Sequence, residues 1–210
     1  NILMNKYKKS LIERNKILQS YNFDDDWLNR IEAEICTLGL EIYKLRNLQL
    51  NTLNVELQNL KQNHNFQFEI KLEVKDGFLN NEVNFEEYLS NLQNSRLNDK
   101  QFGGTKIGPH RSDIISIVNN EFDASLLSTG QQKTIVLMVL LAQCNYLVNY
   151  KKMNPIFLFD EIGSHLDKQN RQILLDMINR FEIQFFLTGT DKNLFSFVST
   201  NAQFYNISEL

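Results

Sequence analysis

Apolar residues in the first third of the chain recur at helical spacing. Between Leu28 and Leu60 they return at steps of mostly three and four residues, which predicts one long amphipathic helix or two. An earlier helical pattern includes Tyr7 and Leu18, so residues 1 to about 62 are predicted to be helical. The apolar seam would also suit a coiled coil, but we favour a helix that packs within a small lobe.

The pattern changes to alternation after the first third of the chain. Apolar and polar residues alternate between Phe66 and Val74, which predicts a strand that turns at Asp76-Gly77. A short helix is predicted around Phe85 to Leu92. The polar stretch from Asn91 to Gly104 ends in a glycine pair, and such composition is typical of a loop or a lobe boundary.

Strand and helix patterns then alternate over residues 105–210. Strands are predicted at Ile114–Val118, Ile156–Phe159, Gln184–Leu187 and Gln203–Ile207, and helices at Gly130–Val148, Asp167–Phe181 and Lys192–Val198. This order is typical of α/β folds. The uninterrupted apolar run Ile156–Phe159 predicts a central parallel strand that is buried on both faces. We therefore expect a helical lobe with a short strand region over residues 1–104 and an α/β domain over residues 105–210.

Composition fits a folded protein and gives no general attraction to nucleic acid. The 210 residues are 42% hydrophobic and 22% charged, which excludes a disordered chain. Because the net charge is -3, any contact with nucleic acid must come from a local patch. Lys6, Lys8, Lys9, Arg14 and Lys16 form a basic run near the start. That run also fits a solvated helix face.

Cysteine and hydropathy patterns predict a cytoplasmic protein with no membrane span. Cys36 and Cys144 lack CxxC spacing, so we expect two buried free thiols in a reducing compartment. The longest apolar stretch, Ile135–Ala142, is far shorter than the roughly 20 residues that cross a bilayer. A helical pattern is already under way at the start, and Asn1 is not a methionine, so we expect further sequence ahead of it.

A hydrophobic strand ends in two acidic residues, Asp160 and Glu161. In phosphoryl-transfer sites the first carboxylate at such a position holds Mg²⁺ and the second orients or deprotonates the attacking water. We assign Asp160 to the metal and Glu161 to the base; the alternative is an acidic pair that only caps the next loop. Ser164-His165-Leu166-Asp167 follows and matches the D-loop pattern Ser-x-Leu-Asp. Asp167 is equally a candidate N-cap for the next helix.

A second motif opens the long helix about thirty residues upstream of the acidic pair. Ser128-Thr129-Gly130-Gln131 combines a hydroxyl donor, a glycine that permits close backbone approach and the free N–H groups of a helix start, which together suit a γ-phosphate. An ordinary serine N-cap is the alternative. The layout is that of ABC ATPases, whose signature motif reads Leu-Ser-Gly-Gly-Gln; here Thr129 replaces the first of those glycines.

These motifs, taken in order, resemble the RecF family of bacterial recombination-mediator ATPases, which is related to the SMC proteins. The resemblance rests on Gly108–Asp113, Ser128–Thr134 and Asp160–Asp167, and it extends to Arg14-Asn15 and Glu41–Arg46. It implies the C-terminal half of an ABC/SMC-like ATPase head with a helical lobe. It also implies a homodimer formed on ATP binding that binds single-stranded or gapped DNA and works with other recombination-mediator proteins in replication and repair.

The resemblance further implies ATP and Mg²⁺ as cofactors. Ser128, Gly130 and Gln131 would contact the γ-phosphate of ATP held by the opposite subunit, while Asp160 would serve Mg²⁺ and Glu161 hydrolysis. The remaining residues expected at the nucleotide are Ser164, Asp167, Thr188 and Thr190. Thr188 and Thr190 follow the strand after which many ABC ATPases keep a switch histidine. His110 and Arg111 are candidates for a nucleotide or DNA contact, although a structural loop held by Pro109 explains them equally well.

One element of the family pattern is absent from the sequence. No Gly-x-x-x-x-Gly-Lys-[Ser/Thr] occurs in the 210 residues, and Gly103-Gly104-Thr105-Lys106 lacks its spacing. The chain alone is therefore expected to be inactive and poorly soluble, since incomplete sheets expose apolar edges. A truncated interaction module or remnant that does not hydrolyse ATP remains the alternative. A transporter subunit is disfavoured, because Ile162-Gly163 stands where such subunits usually place a proline.

Overall fold

A computed structural model describes residues 2–21, 24–64, 66, 68–76, 84–160, 171–172, 174–176, 179, 183–196, 198 and 202–207. Contacts divide the chain into two compact units. The first unit contains Asn1–Asn51 and Leu72–Ile115, and the second contains Thr52–Lys71 and Ser116–Leu210. The division expected at residues 104/105 stays a prediction. No helix among the described residues is long and apolar enough to cross a membrane.

Helices dominate the first part of the chain and short strands the second. In chain order the elements are α1 (Ile2–Gln19), α2 (Asp25–His64), β1 (Ile70–Lys75), α3 (Phe85–Asn94), α4 (Arg96–Phe102), β2 (Asp113–Val118), β3 (Phe122–Asp123), α5 (Thr129–Asn149), β4 (Ile156–Phe159) and β5 (Gln184–Leu187). The described residues also form 3₁₀ turns at Ala124–Leu126 and Lys192–Phe195. The six described residues between 171 and 179 are helical.

The first unit is a packed helical lobe, as the spacing of its apolar residues predicts. α1 buries one face, which carries Tyr7, Ser10, Arg14 and Leu18, because these residues are three or four positions apart. They meet the beginning of α2 and α3 in a core of Tyr7, Ile31, Ile35, Cys36, Ile42, Tyr88 and Leu92. The 40-residue α2 is therefore one continuous helix whose first half packs in the lobe.

Gly39 permits the close approach of α2 to α3. A methyl group built on Gly39 would lie 2.8 Å from Cε1 of the Tyr88 ring, which is too close for any side chain. The Tyr88 ring is fully buried there. α3 begins with Asn84 as its N-cap, and the Asn84 side chain accepts a hydrogen bond from the Glu87 N–H, as asparagine commonly does at this position.

α4 occupies the stretch that the sequence predicts to be a loop, and that prediction is wrong. Residues 96–102 form a helix, and α3 itself extends to Asn94. The cause lies in tertiary contacts. Asp99 is buried and binds the guanidinium of Arg14 at 2.6 Å, and α4 packs against α1. A polar sequence thus forms a helix with one buried carboxylate, which a distant cation satisfies.

The second unit contains β3, α5, β4 and β5, together with the beginning of β1 and the end of β2. Strands β1, β2 and β3 form a sheet in that order, and β2 and β3 pair antiparallel with Ile117 opposite Asp123. α5 buries seven of its residues: Thr134, Ile135, Leu137, Met138, Leu141, Ala142 and Cys144. Asn145 donates a hydrogen bond to the buried carboxylate of Glu56 in the second half of α2.

Three strand predictions need correction. β1 begins at Ile70, so Phe66 and Phe68 lie outside it, although both are buried. The described residues 202–207 contain no strand, contrary to the prediction for Gln203–Ile207. β4 is not buried on both faces: Ile156 is 61% exposed and Leu158 71% exposed. Side chains alternate across a strand, and among the described residues only one face of β4 is covered.

Candidate nucleotide-binding site

The first candidate element is the N-terminus of α5. Ser128 is the N-cap, and its hydroxyl oxygen accepts a hydrogen bond from the Gln131 N–H at 3.4 Å. The side-chain oxygen of Gln131 returns to the Ser128 N–H at 3.1 Å and accepts from the Ser128 hydroxyl at 3.0 Å. This is a complete capping box. The ordinary structural role of Ser128 is therefore present.

The same helix start is open to solvent. Ser128, Thr129 and Gly130 are exposed, and a methyl group built on Gly130 would meet no atom within 4 Å. The first N–H groups of a helix lack partners within the helix, and they lie at the positive end of its dipole. An anion such as a phosphate oxygen therefore finds both donors and space here. The phosphate role of Ser128, Gly130 and Gln131 stays a prediction.

Gln132 holds the approach to this helix, a role that the sequence does not reveal. Its side-chain amide donates to the backbone oxygens of Ser125 at 3.0 Å and Leu127 at 2.8 Å. These bonds fix the loop that precedes Ser128. Gln132 is part of the motif that resembles RecF, so the sequence singles the residue out. The motif does not predict its hydrogen bonds to the preceding loop.

The second candidate element lies at the carboxyl end of two parallel strands. β4 and β5 pair in parallel, with Phe159 opposite Leu187, so the next residues, Asp160 and Thr188, emerge side by side. The Thr188 hydroxyl donates to the Asp160 carboxylate at 2.5 Å, and the Thr188 N–H donates to the Phe159 oxygen at 2.9 Å. Ligands of open α/β sheets bind at this edge.

Asp160 has the properties of a metal ligand at this edge. Its side chain is exposed, and the hydrogen bond from Thr188 uses only one of the several lone-pair positions of the carboxylate. Oxygen donors of this kind are the ligands that Mg²⁺ prefers, so the residues present fit that ion. Thr190 is exposed close to Thr188. Glu161, Ser164 and Asp167 lie outside the described residues, and their predicted roles are untested.

His110 and Arg111 belong to the first unit, where His110 is held from both sides. Its Nδ1 lies 2.9 Å from the Tyr7 hydroxyl and its Nε2 lies 2.8 Å from the Thr105 oxygen. A carbonyl can only accept, so Nε2 carries the proton and Nδ1 accepts from Tyr7. Burial lowers the pKa of His110, although the hydrogen bond to Thr105 acts in the other direction. These contacts support the structural interpretation of His110.

Arg111 and the loop around it have a different character. Arg111 is exposed, and its N–H donates to the Gly108 oxygen at 2.9 Å, which closes a tight turn. Arg46 on α2 reaches this turn and donates to the Pro109 oxygen and the Ser112 hydroxyl. The structure thus gives Arg46 a positioning role that the sequence indicated only through the resemblance around Glu41–Arg46.

Groups of three or more potential metal ligands of the histidine, cysteine and acidic types are absent from the described part of the chain. Sites built wholly from protein side chains, such as structural zinc sites, need such a group of ligands. A single carboxylate shared with a nucleotide phosphate does not require such a cluster.

Comparison with known proteins identifies the family. The model for the RecF/RecN/SMC N terminal domain matches residues 8–209. The chain is 32% identical over 210 residues to the DNA replication and repair protein RecF of Rhizobium etli (strain CIAT 652), covering 97% of this chain and 56% of that protein. It is also 32% identical to RecF of Brucella abortus (strain 2308), covering 96% of this chain and 54% of that protein. The chain thus spans about half the length of these curated relatives.

Solved structures show the same fold. A structure of the recombination mediator protein RecF-ATP in the RecFOR pathway superposes with a TM-score of 0.76 at 22% identity, over 91% of this chain and 53% of that one. The corresponding RecF-ATPrS structure gives a TM-score of 0.76 at 23% identity, over 94% of this chain and 54% of that one. These matches confirm the ABC/SMC-like α/β fold with a helical lobe and the resemblance to RecF. The chain belongs to the RecF/RecN/SMC N-terminal domain family.

Proposed function

We propose that this chain is half of the head of a RecF-like, DNA-binding ATPase that acts in DNA replication, recombination and repair in the cytoplasm. This half carries the signature motif Ser128–Gln131 and the strand that leads to Asp160 and Glu161, the Walker B motif of such enzymes. The observation that carries the proposal is the pairing of Asp160 with Thr188 at the carboxyl ends of two parallel strands. A carboxylate and a hydroxyl at that edge suit a metal-bound phosphate.

Each side chain at this edge has a distinct task. Asp160 would hold Mg²⁺, which when bound would supply charge neutralisation for the phosphates. Thr188 fixes the orientation of the Asp160 carboxylate through its hydrogen bond. Glu161, the next residue, activates the attacking water, which is the role that a carboxylate performs as general base. Thr190 and the D-loop residues Ser164 and Asp167 complete the surroundings of the phosphate.

The exposed start of α5 serves ATP held by a second copy of the protein. Ser128 and Gly130 lie on the surface, where the helix N-terminus is free to meet a phosphate from outside its own subunit. ATP binding therefore joins two copies into a homodimer. In this proposal the dimer binds single-stranded or gapped DNA and acts with other recombination-mediator proteins. Its coarser part is supported by relatives that are named as a DNA replication and repair protein and as a recombination mediator protein of the RecFOR pathway.

A second candidate function is an interaction module that does not hydrolyse ATP. It would apply if no Gly-x-x-x-x-Gly-Lys-[Ser/Thr], which the 210 residues do not contain, were supplied to this chain, because the backbone of that loop cradles the phosphates. The two functions differ in what happens when a phosphate loop is provided in trans.

Equilibrium binding of a fluorescent ATP analogue with Mg²⁺ separates these functions. The titration is run on the chain alone and with an added fragment that carries the phosphate loop of a RecF relative. We expect binding and DNA-dependent ATP turnover only in the complemented form. Asp160→Asn should remove the Mg²⁺ dependence of binding, and Glu161→Gln should retain nucleotide without turnover.

Two control variants make the result interpretable. Glu121→Gln removes one exposed carboxylate outside the site and should leave binding unchanged. Gly130→Ala adds a methyl group in open space within a helix, where alanine is the more stable residue by up to roughly 1 kcal/mol. Weaker nucleotide binding by a stable Gly130→Ala protein therefore reports on phosphate contact. A folded complex that binds no nucleotide would support the non-catalytic module instead.

A further inference from the structure

The exposed side of α1 carries four lysines. Lys6, Lys8, Lys9 and Lys16 are exposed, whereas the opposite side of α1 is buried in the core of the lobe. The lysines therefore do not form part of the packing of the first unit. They project from a helix that the lobe holds in place through its other face.

Ion pairs with described residues do not neutralise this lysine face. No described residue forms an ion pair with any of the four lysines. Glu13, the one acidic residue of α1, is half-buried and forms no ion pair with a described residue either. The fifth cation of the helix, Arg14, is fully buried and paired with Glu32 and Asp99. A positive surface thus stands on a protein whose net charge is -3.

Two of these lysines lie almost in line along the exposed side of α1. Lys9 and Lys16 are seven positions apart, which places them about 10 Å apart along the axis and roughly 20° apart around it for a helix of 1.5 Å rise and 3.6 residues per turn. Phosphates of one B-DNA strand recur at every step of about 3.4 Å in axial rise, more closely than the two lysines, and the flexible four-carbon stem of lysine lets each ammonium group reach one of them. Both ammonium groups can therefore meet phosphates of one strand.

We propose that the lysine face of α1, formed by Lys6, Lys8, Lys9 and Lys16, is a docking surface for the sugar-phosphate backbone of DNA. This inference rests on the proposed function and adds to it the surface that DNA contacts. Ammonium groups recognise phosphates as point charges and read no sequence, so the surface fits a protein that acts on DNA structure rather than on a particular site.

An anionic membrane is the competing partner for a basic helix. Such helices bury a broad apolar face in the lipid. The apolar face of α1 is already buried in the lobe, and the large hydrophobic residues that remain exposed on it are Ile2 and Ile12. The observations therefore favour DNA, and lipid binding becomes an outcome of the test.

The salt dependence of DNA affinity tests the proposal. Fluorescence anisotropy with a labelled gapped duplex is measured between about 50 and 200 mM salt, a range over which each phosphate that a lysine neutralises contributes about 0.9 to the slope of log K against log salt. Parent, Lys9→Gln/Lys16→Gln and the charge-matched control Lys44→Gln/Lys75→Gln are compared, using the full chain alone and with the phosphate-loop fragment. Lys44 and Lys75 are exposed residues of the first unit that lie outside α1.

We expect the Lys9→Gln/Lys16→Gln slope to be smaller than that of the parent by about 1.8, so that parent affinity falls about 12-fold more than that of the variant over a fourfold rise in salt. The control should retain the parent slope. Equal slopes for the parent and Lys9→Gln/Lys16→Gln would overturn the inference while leaving the proposed function intact. A parent that binds ATP but no DNA would overturn both. Loss of binding to phosphatidylserine vesicles, with unchanged DNA binding, would assign the surface to a membrane.

Discussion

Replacing Arg14 by methionine is expected to destabilise the first unit strongly. Arginine has five N–H donors, and all five find acceptors in the fully buried site of Arg14. Nε binds Glu32 at 3.0 Å, Nη1 binds Asp99 at 2.6 Å and Thr105 at 2.8 Å, and Nη2 binds the Leu92 oxygen at 2.7 Å and the Ser95 hydroxyl at 3.4 Å. One side chain therefore joins α1 to α2, α3, α4 and the loop that follows α4.

The size of the effect follows from the charges that would remain. Glu32 is fully buried and Asp99 nearly so. Without Arg14, Glu32 would keep an ion pair with Arg96, which bonds it at 2.6 Å and is itself 23% exposed. Asp99 would hold a buried charge without an ion-pair partner among the described residues. Breaking one side of a buried ion pair costs about 3 to 5 kcal/mol, a large share of the roughly 5 to 15 kcal/mol that is typical of a domain.

Urea unfolding followed by tryptophan fluorescence measures this cost. Trp27 is the one tryptophan of the chain and lies in the first turn of α2, so its emission reports on the first unit. The matched control is Arg30→Met, which removes an exposed arginine from α2 and should change the free energy of unfolding by no more than about 0.5 kcal/mol. A loss below about 1 kcal/mol for Arg14→Met would refute the reasoning, since that is the range of an exposed pair.

A double-mutant cycle tests the cause rather than the size. If the remaining charge of Asp99 is the source of the instability, Asp99→Asn should cost less in the Arg14→Met protein than in the parent. Residues in direct contact typically show coupling energies of about 0.5 to 3 kcal/mol. Equal costs in the two backgrounds would mean that Arg14 acts by filling space, and the electrostatic account would be wrong.

Three further predictions concern other buried groups. Burial raises the pKa of the Cys36 thiol to about 12 and that of the Cys144 thiol to about 11, so neither should react with a disulfide reagent at about pH 8 until denaturant unfolds the protein; stoichiometric labelling of the native state would contradict this. Burial lowers the pKa of His110 below its ordinary 6.5, so the unfolded chain binds the proton more readily than the folded chain. The free energy of unfolding should therefore fall as the pH drops below about 6.5. If His110→Gln lost just as much stability over the same pH series, the histidine would be excluded as the source of this acid sensitivity. Gly108→Ala should be more destabilising than Gly103→Ala in thermal unfolding, because both have positive φ but only at Gly108 would the methyl group meet two tyrosine hydroxyls; equal losses would show that backbone strain alone matters.

The bounds of several helices and strands could be predicted from local sequence patterns. β4 and β5 begin and end where their apolar runs predict, and α5 extends from Thr129 to Asn149, within a residue of the predicted helix at each end. Such elements are encoded by a continuous period and by clear start signals, such as the serine that precedes α5. The capping box of Ser128 could also have been expected from the glutamine three positions later.

Features that depend on distant residues could not be predicted in this way. α4 is polar, and its stability depends on the contact between Asp99 and Arg14, which are 85 positions apart. The exposure of Ile156 and Leu158 is likewise invisible in the sequence, because an apolar strand with no alternation predicts two covered faces. In the sequence Arg14 belongs to a basic run and, with Asn15, to the segments that resemble RecF, and neither feature reveals its buried ion pairs. Burial separates it from the four lysines beside it.

The signature motif can both cap α5 and bind phosphate, because the free energies of the two interactions are similar in size. Ser128 and Gln131 bond each other, so a phosphate that contacts both side chains must open part of the capping box. Losing a cap costs about 0.5 to 2 kcal/mol, whereas one hydrogen bond to a charged group contributes about 1.5 to 3 kcal/mol. A γ-phosphate that accepts from the Ser128 hydroxyl and the exposed N–H groups at Gly130 therefore offsets the cost of opening the box. The same residues that cap α5 before ATP binds can hold phosphate afterwards, and the presence of the cap does not argue against the nucleotide site.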